Sequence, residues 1–204
     1  MKIFSAKRLR AALVIGLVVC MCTSVVKFEA SCMDIRDNVL RLHILANSDS
    51  QSDQQLKLKV RDAVINESET DFDRCTDLED ALNKAEASID SIKDTAQRVI
   101  AENGYDYSVE VAVGTEFFNT RVYDELTLPA GFYKSLIIKI GDAKGKNWWC
   151  VMYPSICVGT ATKNDFESAV GDDGAEIAEN PIKYQVKFKI VEYYQNFKKN
   201  ILKK

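Results

Sequence analysis

His43 is the one histidine among 204 residues, and it follows Arg41 in the alternating run Leu40-Arg41-Leu42-His43-Ile44-Leu45. An imidazole is the usual general base near neutral pH, but it needs a nucleophile to deprotonate and an acid to orient it. Asp49, or a cysteine such as Cys75, would have to fill those roles, and spacing sets neither beside His43. Asp49 and Asp53 could be read as paired carboxylates. They also fall where a helix should begin, and side-chain oxygens there satisfy free backbone N–H groups and meet the positive end of the dipole. Zinc needs four ligands, or three and a water, which one histidine and scattered cysteines without a Cys-x-x-Cys pair do not supply. Gly141-Asp142-Ala143-Lys144-Gly145-Lys146 has the glycines and lysines of a phosphate loop but not their order, and no helix follows. A turn is the simpler reading. The inventory points away from an enzyme, with no cofactor and no metal expected.

The second chemical cluster is Asn147-Trp148-Trp149-Cys150-Val151-Met152-Tyr153-Pro154-Ser155-Ile156-Cys157. Both tryptophans of the sequence lie here, and adjacent residues of an extended chain point to opposite faces. Either one tryptophan faces outward as an interaction anchor, or both are buried between helices. Cys150 and Cys157 enclose a short loop turned by Tyr153-Pro154. A bridge between them would contribute roughly 2–3 kcal/mol by loop entropy. Cys32 and Cys75 are the remaining, weaker pair.

Elements to position these groups can be read from periodicity. Val39 to Ala46 is a strand, with Leu40, Leu42 and Ile44 on one face and Arg41 and His43 on the other. Ser52 and Gln55 form a capping-box pattern before a helix that buries Leu56, Val60, Ala63 and Val64, with Lys57, Lys59, Arg61 and Asp62 turned outward. A polar loop over 68–76 precedes one long helix from Leu78 to Ile100, stopped at Gly104. Tyr107 to Val113 and Tyr133 to Ile140 alternate as strands, and Arg121 to Tyr123 is a short continuation of the first. The glycines at 141 and 145 predict a hairpin into Trp148–Tyr153. Residues 160–180 read as a variable surface loop. Asn180-Pro181 opens a final helix with Ile182, Val186, Ile190, Tyr193, Tyr194, Phe197 and Ile201 as its apolar face, although Tyr184 to Ile190 also alternates like a strand. The basic end of this helix could lie on an anionic membrane; the favoured reading is a docked helix with solvated lysines. The sum is an α+β (or α/β) domain: a small, mostly antiparallel sheet covered by amphipathic helices.

Lys2, Lys7, Arg8 and Arg10 precede an uncharged apolar run from Ala11 to Val26. That pattern is a secretory signal or a short membrane anchor, so residues 1–30 form the export segment and 31–204 one secreted globular domain. Cleavage after Ala30 would place bulky Phe28 at the −3 position, and Val19 before Cys20 does not fit a lipoprotein. Five of the 27 basic residues and one of the 30 acidic ones precede position 31, which leaves the domain at −7. Such a domain has no electrostatic reason to bind nucleic acid.

Two blocks, Leu40-Arg41-Leu42-His43-Ile44-Leu45-Ala46-Asn47-Ser48-Asp49-Ser50 through Val64 and Leu128-Pro129-Ala130-Gly131-Phe132-Tyr133 through Cys157, together resemble the stage II sporulation protein R family of endospore-forming bacteria. Val186 to Glu192 is a weaker third match. The resemblance implies export from the forespore into the space between the two septal membranes. There the protein would activate the membrane-embedded aspartic protease of stage II GA type, which processes pro-sigma-E in the mother cell. Interaction candidates in the first block are His43, Asn47, Ser48, Asp49, Arg61 and Asp62. In the second they are Pro129, Gly131, Tyr133, Asn147, Trp148 and Trp149. The competing classes are a secreted cell-wall hydrolase using His43 with Asp49 or a cysteine, and a septal membrane-anchored scaffold.

Overall fold

The residues of the strand Leu40–Leu45 (β1) are buried on both faces, save for a half-covered Leu45. A strand apolar on one side and covered on the other belongs to a sheet with layers packed on both faces. The remaining strands are Val109–Phe118 (β2), Arg121–Tyr123 (β3), Leu126–Leu128 (β4), Gly131–Ile140 (β5) and Asn147–Tyr153 (β6). In the computed structural model, which describes residues 6–123, 126–156 and 163–202, four of them form a sheet of order β2-β5-β1-β6. β1 runs parallel to β5, with Leu42 opposite Leu136, and antiparallel to β6, with His43 opposite Trp149. β2 pairs antiparallel with β5, and β3 with β4. The architecture is α+β, and its sheet is mostly antiparallel.

This order corrects one expectation. β5 and β6 are joined by the short turn at Gly141–Gly145, yet they are not a hairpin, because β1 is inserted between them. Local turn signals favoured direct pairing, and the two-sided burial of β1 overrides them.

Helices cover both faces of the sheet. On one side, Leu40, Leu42, Ile44, Leu136 and Ile138 meet Leu56, Val60 and Val64 of Gln51–Phe72 (α2), as well as Ala81 and Ala85 of Leu78–Ala87 (α3). Ile92, Ala96 and Ile100 of Ile89–Glu102 (α4) complete this core. On the other side, Phe118, Tyr133 and Val151 meet Phe28, Cys32 and Ile35 of the N-terminal helix Ala6–Asp37 (α1). Phe166, Val170 and Ile177 of Lys163–Glu179 (α5) and Phe188 and Val191 of Pro181–Leu202 (α6) close that layer.

Further expectations change. The helix cap lies two residues upstream of the Ser52/Gln55 box: the Asp53 N–H donates to Ser50 Oγ at 3.1 Å, and α2 continues to Phe72 because Phe72 is core. Lys57 is buried, its ammonium donating to Gln54 Oε1 at 2.7 Å and to the Lys146 carbonyl at 2.8 Å. The long helix breaks at Ser88, and α3 is capped by Asp77, which accepts from the Asp80 N–H at 2.8 Å. From Lys163 the presumed surface loop is α5, bent at Gly171 (φ 75°) and buried through Phe166, Val170 and Ala178; residues 157–162 lie outside the described ones. α6 is a helix throughout, but Tyr184, Phe188, Val191 and Gln195 pack inward, while the anticipated apolar face from Ile182 to Ile201 is exposed.

α1 holds a stretch long and apolar enough to cross a membrane, by length and composition. Its exposed part ends near Val26, and from Phe28 onward it joins the second core. Cys32 is a buried thiol, so the Cys32–Cys75 bridge is not made. Cys157, and with it the Cys150–Cys157 pairing, lies outside the described residues.

Candidate functional site

Strand alternation sends Arg41 and His43 to the α1 side of the sheet, and the antiparallel register sets Trp149 directly beside His43. The two rings lie 5.8 Å apart, and Phe118 is 6.3 Å from the indole. His43 Nδ1 hydrogen-bonds the Glu116 carboxylate, and Nε2 hydrogen-bonds Asn147 Oδ1 at 2.8 Å. The Arg121 guanidinium stacks 4.2 Å from the centre of the Trp149 ring. His43, Glu116, Asn147 and Trp149 border an open depression also lined by Thr115, Phe117, Asn119, Phe132 and Lys199. Both imidazole nitrogens already face oxygen partners, and Thr115 carries the sole hydroxyl among the lining residues described here. Asp49 is elsewhere. The arrangement suits recognition: a half-covered indole, a cation over it, and polar groups at its margin.

Beneath this patch Arg41 is fully buried. Its guanidinium lies 4.0 Å from the Phe118 ring centre and 4.8 Å from that of Tyr133, and it donates to the Tyr123 hydroxyl. Its Nε and Nη1 have no partner, and burial pulls its pKa below the ordinary arginine value. Burial pushes the Tyr133 phenol up, and its hydroxyl donates to the Pro129 carbonyl at 2.6 Å. Gly131, at φ 152°, lies against Arg36, whose Cδ would be 2.3 Å from any added Cβ. Pro129, Gly131 and Tyr133 therefore fix the β4–β5 corner against α1.

The Ala-Asn-Ser-Asp block forms a second fixture. Asp53 accepts from Asn47 Nδ2 at 2.9 Å and from Ser48 Oγ at 2.6 Å. Asn47 Oδ1 accepts from the Asp142 N–H at 2.9 Å, and Asp49 Oδ1 from the Lys146 N–H at 2.7 Å. A Cβ on Gly145 would come within 2.2 Å of the Ser48 carbonyl oxygen, and one on Gly141 (φ 56°) within 2.3 Å of Asn47 Oδ1. The side chains of Asn47 and Asp49 thus clamp the β1–α2 corner onto the β5–β6 turn, while Ser48 Oγ holds Asp53 within the corner. Arg61 pairs with Asp62 at 2.6 Å and lies 5.1 Å from the Trp148 ring centre, on the α2 side of the sheet.

The sequence-derived residues therefore divide. His43, Asn147 and Trp149 come together; Trp148 with Arg61 and Asp62 lies on the opposite face; the others hold corners. Glu116 and Arg121 were missed. Continuing the period of two past Val113 would have put Glu116 on the same face as Phe118, which is the signal that was available. Among the described residues no three metal-ligating side chains converge.

A family model described as Stage II sporulation protein R matches residues 36–163. Stage II sporulation protein R of Bacillus subtilis (strain 168) is 38% identical over 131 residues, which take in 64% of this chain and 58% of that protein. The chain thus spans less than two thirds of that relative's length. No solved structure matches. With the clamped corner and the His43–Trp149 strand pair both inside the matched region, the chain belongs to the stage II sporulation protein R family.

Proposed function

We propose that this sporulation protein works by contact, as an exported or membrane-tethered ligand. Its target is the membrane-embedded aspartic protease of stage II GA type that processes pro-sigma-E, and its surface is the patch around Trp149. The family supports a role in sporulation, and α1 fits a signal or anchor. The observation that carries the reading is the constellation of His43, Glu116, Asn147 and Trp149 under Arg121, which has the composition of a binding hot spot.

A ligand shifts a protease toward its active arrangement only by binding that arrangement better than the inactive one. Turning a 1:99 population into 99:1 takes about 5.5 kcal/mol of differential affinity. Three anchors of about 2 kcal/mol each suffice, and a tryptophan with a stacked arginine is the usual source. A hydrolase would use Glu116 and His43 as acid and base, but Nε2 is turned to Asn147 rather than toward a substrate. Co-purification from membranes containing both proteins tests the reading. The tagged full-length chain should retain the protease through washing; recovery of the chain alone, from membranes where the protease is present and folded, would overturn it.

A further inference from the structure

α6 has two apolar faces, and the domain uses one. Phe188 and Val191 are 4% and 2% exposed, whereas Ile182, Val186, Tyr193 and Phe197 are 91%, 72%, 78% and 65% exposed. The outer residues Ile182, Val186, Ile190, Tyr193, Phe197 and Ile201 are each three or four positions from the next, so they form one continuous stripe along the helix. A solvated stripe of this size is costly, and a soluble monomer rarely shows one.

Its position indicates what covers it. Phe28 of α1 touches both Tyr184 and Phe188, at ring-centre distances of 5.4 and 5.0 Å, and its neighbour Glu29 accepts from Gln195 Nε2 at 2.7 Å. Tyr184 to Gln195 rises about 16 Å along α6, against about 1.5 Å from Phe28 to Glu29. α6 therefore crosses α1 rather than running along it. The crossing lies just past Val26, where the uncovered apolar run of α1 ends. If α1 enters a bilayer, α6 lies at its surface.

Charge agrees. The helix carries five lysines and a single acid, Glu192, on a domain whose net charge is −7 without its first 30 residues. Helical spacing sets Lys187 and Lys198 along one margin of the stripe and Lys189 along the other, where long stems can reach lipid headgroups. Tyr193 and Tyr194 are of the type that settles at a membrane interface. A two-fold dimer through the same face would bring these lysine margins against each other. We infer that the outer face of α6 rests on the anionic bilayer that α1 enters, holding the domain at a fixed attitude to the membrane. This rests on reading α1 as an anchor.

The test places a photoreactive benzophenone side chain at Leu17, Phe197 or Glu102 in three full-length variants. Each is reconstituted into vesicles of phosphatidylglycerol and phosphatidylcholine in equal parts, irradiated, and its adducts identified by mass spectrometry. Lipid adducts are expected at Leu17 and Phe197, several-fold above Glu102, with the Phe197 yield falling in vesicles of phosphatidylcholine alone. Lipid adducts at Leu17 with only protein adducts, or none, at Phe197 would overturn the α6 contact and leave the anchor standing. No lipid adducts at Leu17 would overturn the anchor, and the inference with it.

Discussion

Asn47 donates to Asp53 Oδ2 at 2.9 Å, while its own Oδ1 accepts from the Asp142 N–H at the same distance, so one amide ties the start of α2 to the turn after β5. The carboxylate it serves is buried. Hydrogen bonds, chiefly from Ser48 with a smaller share from Asn47, hold Asp53 below the usual carboxylate range against the opposing effect of burial.

A group whose folded pKa is depressed contributes stability above its unfolded value, about 3.9 for aspartate, and loses it as pH falls through the lower folded value. Urea unfolding of the wild type should therefore weaken on acidification below about pH 4. Asp53→Asn should be less stable at neutral pH by about 1–3 kcal/mol and should lose less on acidification. Parallel pH profiles for the two proteins would contradict the assignment.

Gly145→Ala tests the same corner from the other side. The new methyl would meet the Ser48 backbone carbonyl, which has no rotamer with which to retreat. A loss of about 2–3 kcal/mol in unfolding free energy is expected, and a change within 0.5 kcal/mol, the range of an ordinary surface substitution, would show that the corner can open without cost.

Arg41 sets two effects in opposition. Burying its charge costs several kcal/mol, and the ring contacts return about 0.5–2 kcal/mol each. With two guanidinium nitrogens unpartnered, the terms nearly cancel. Arg41→Met, which keeps the packing and drops the charge, should fall within about 1 kcal/mol of wild type. Arg41→Ala, which leaves a cavity beside Phe118, should lose about 2–4 kcal/mol. A large loss in both variants would mean that the charge itself stabilises the fold.

The adjacent tryptophans should behave differently. Trp148 packs on the core under α2, and Trp148→Ala should lower thermal stability. Trp149 borders the open depression under Arg121, and Trp149→Ala should reduce protease binding by roughly 2 kcal/mol or more, the mark of a hot spot, with a smaller effect on unfolding. Calorimetry beside a binding titration separates the two effects; equal loss in both assays for both variants would place the pair in the core alone.

The sequence carried much of this fold, in uneven measure. β1, β5 and the stripe of α2 were legible because their periodicity ran unbroken from Leu40 to Ile44, from Tyr133 to Ile140 and from Leu56 to Val64. The insertion of β1 between β5 and β6 was not, since strand order depends on partners far apart in sequence, and the glycines at 141 and 145 argued locally for a hairpin. α5 was hidden by Gly171-Asp172-Asp173-Gly174, which signals a turn and here only bends a helix. α6 misled differently: two apolar faces on one helix leave the sequence no means of saying which one the domain buries. At the candidate site, His43 stood out by residue type and Trp149 by the adjacent-tryptophan argument, while Asn147 came with the second block of the family resemblance. Glu116 was lost because its strand was ended too early.

The most direct measurement is reconstitution of the stage II GA type protease with pro-sigma-E in vesicles, followed by addition of the purified full-length chain to the outer face. The account predicts that cleavage starts on addition, rises to saturation as the chain fills a binding site, and is lost with Trp149→Ala while Asp62→Ala leaves it intact. Cleavage that proceeds equally with and without the chain, or that Trp149→Ala supports as well as wild type does, would contradict it.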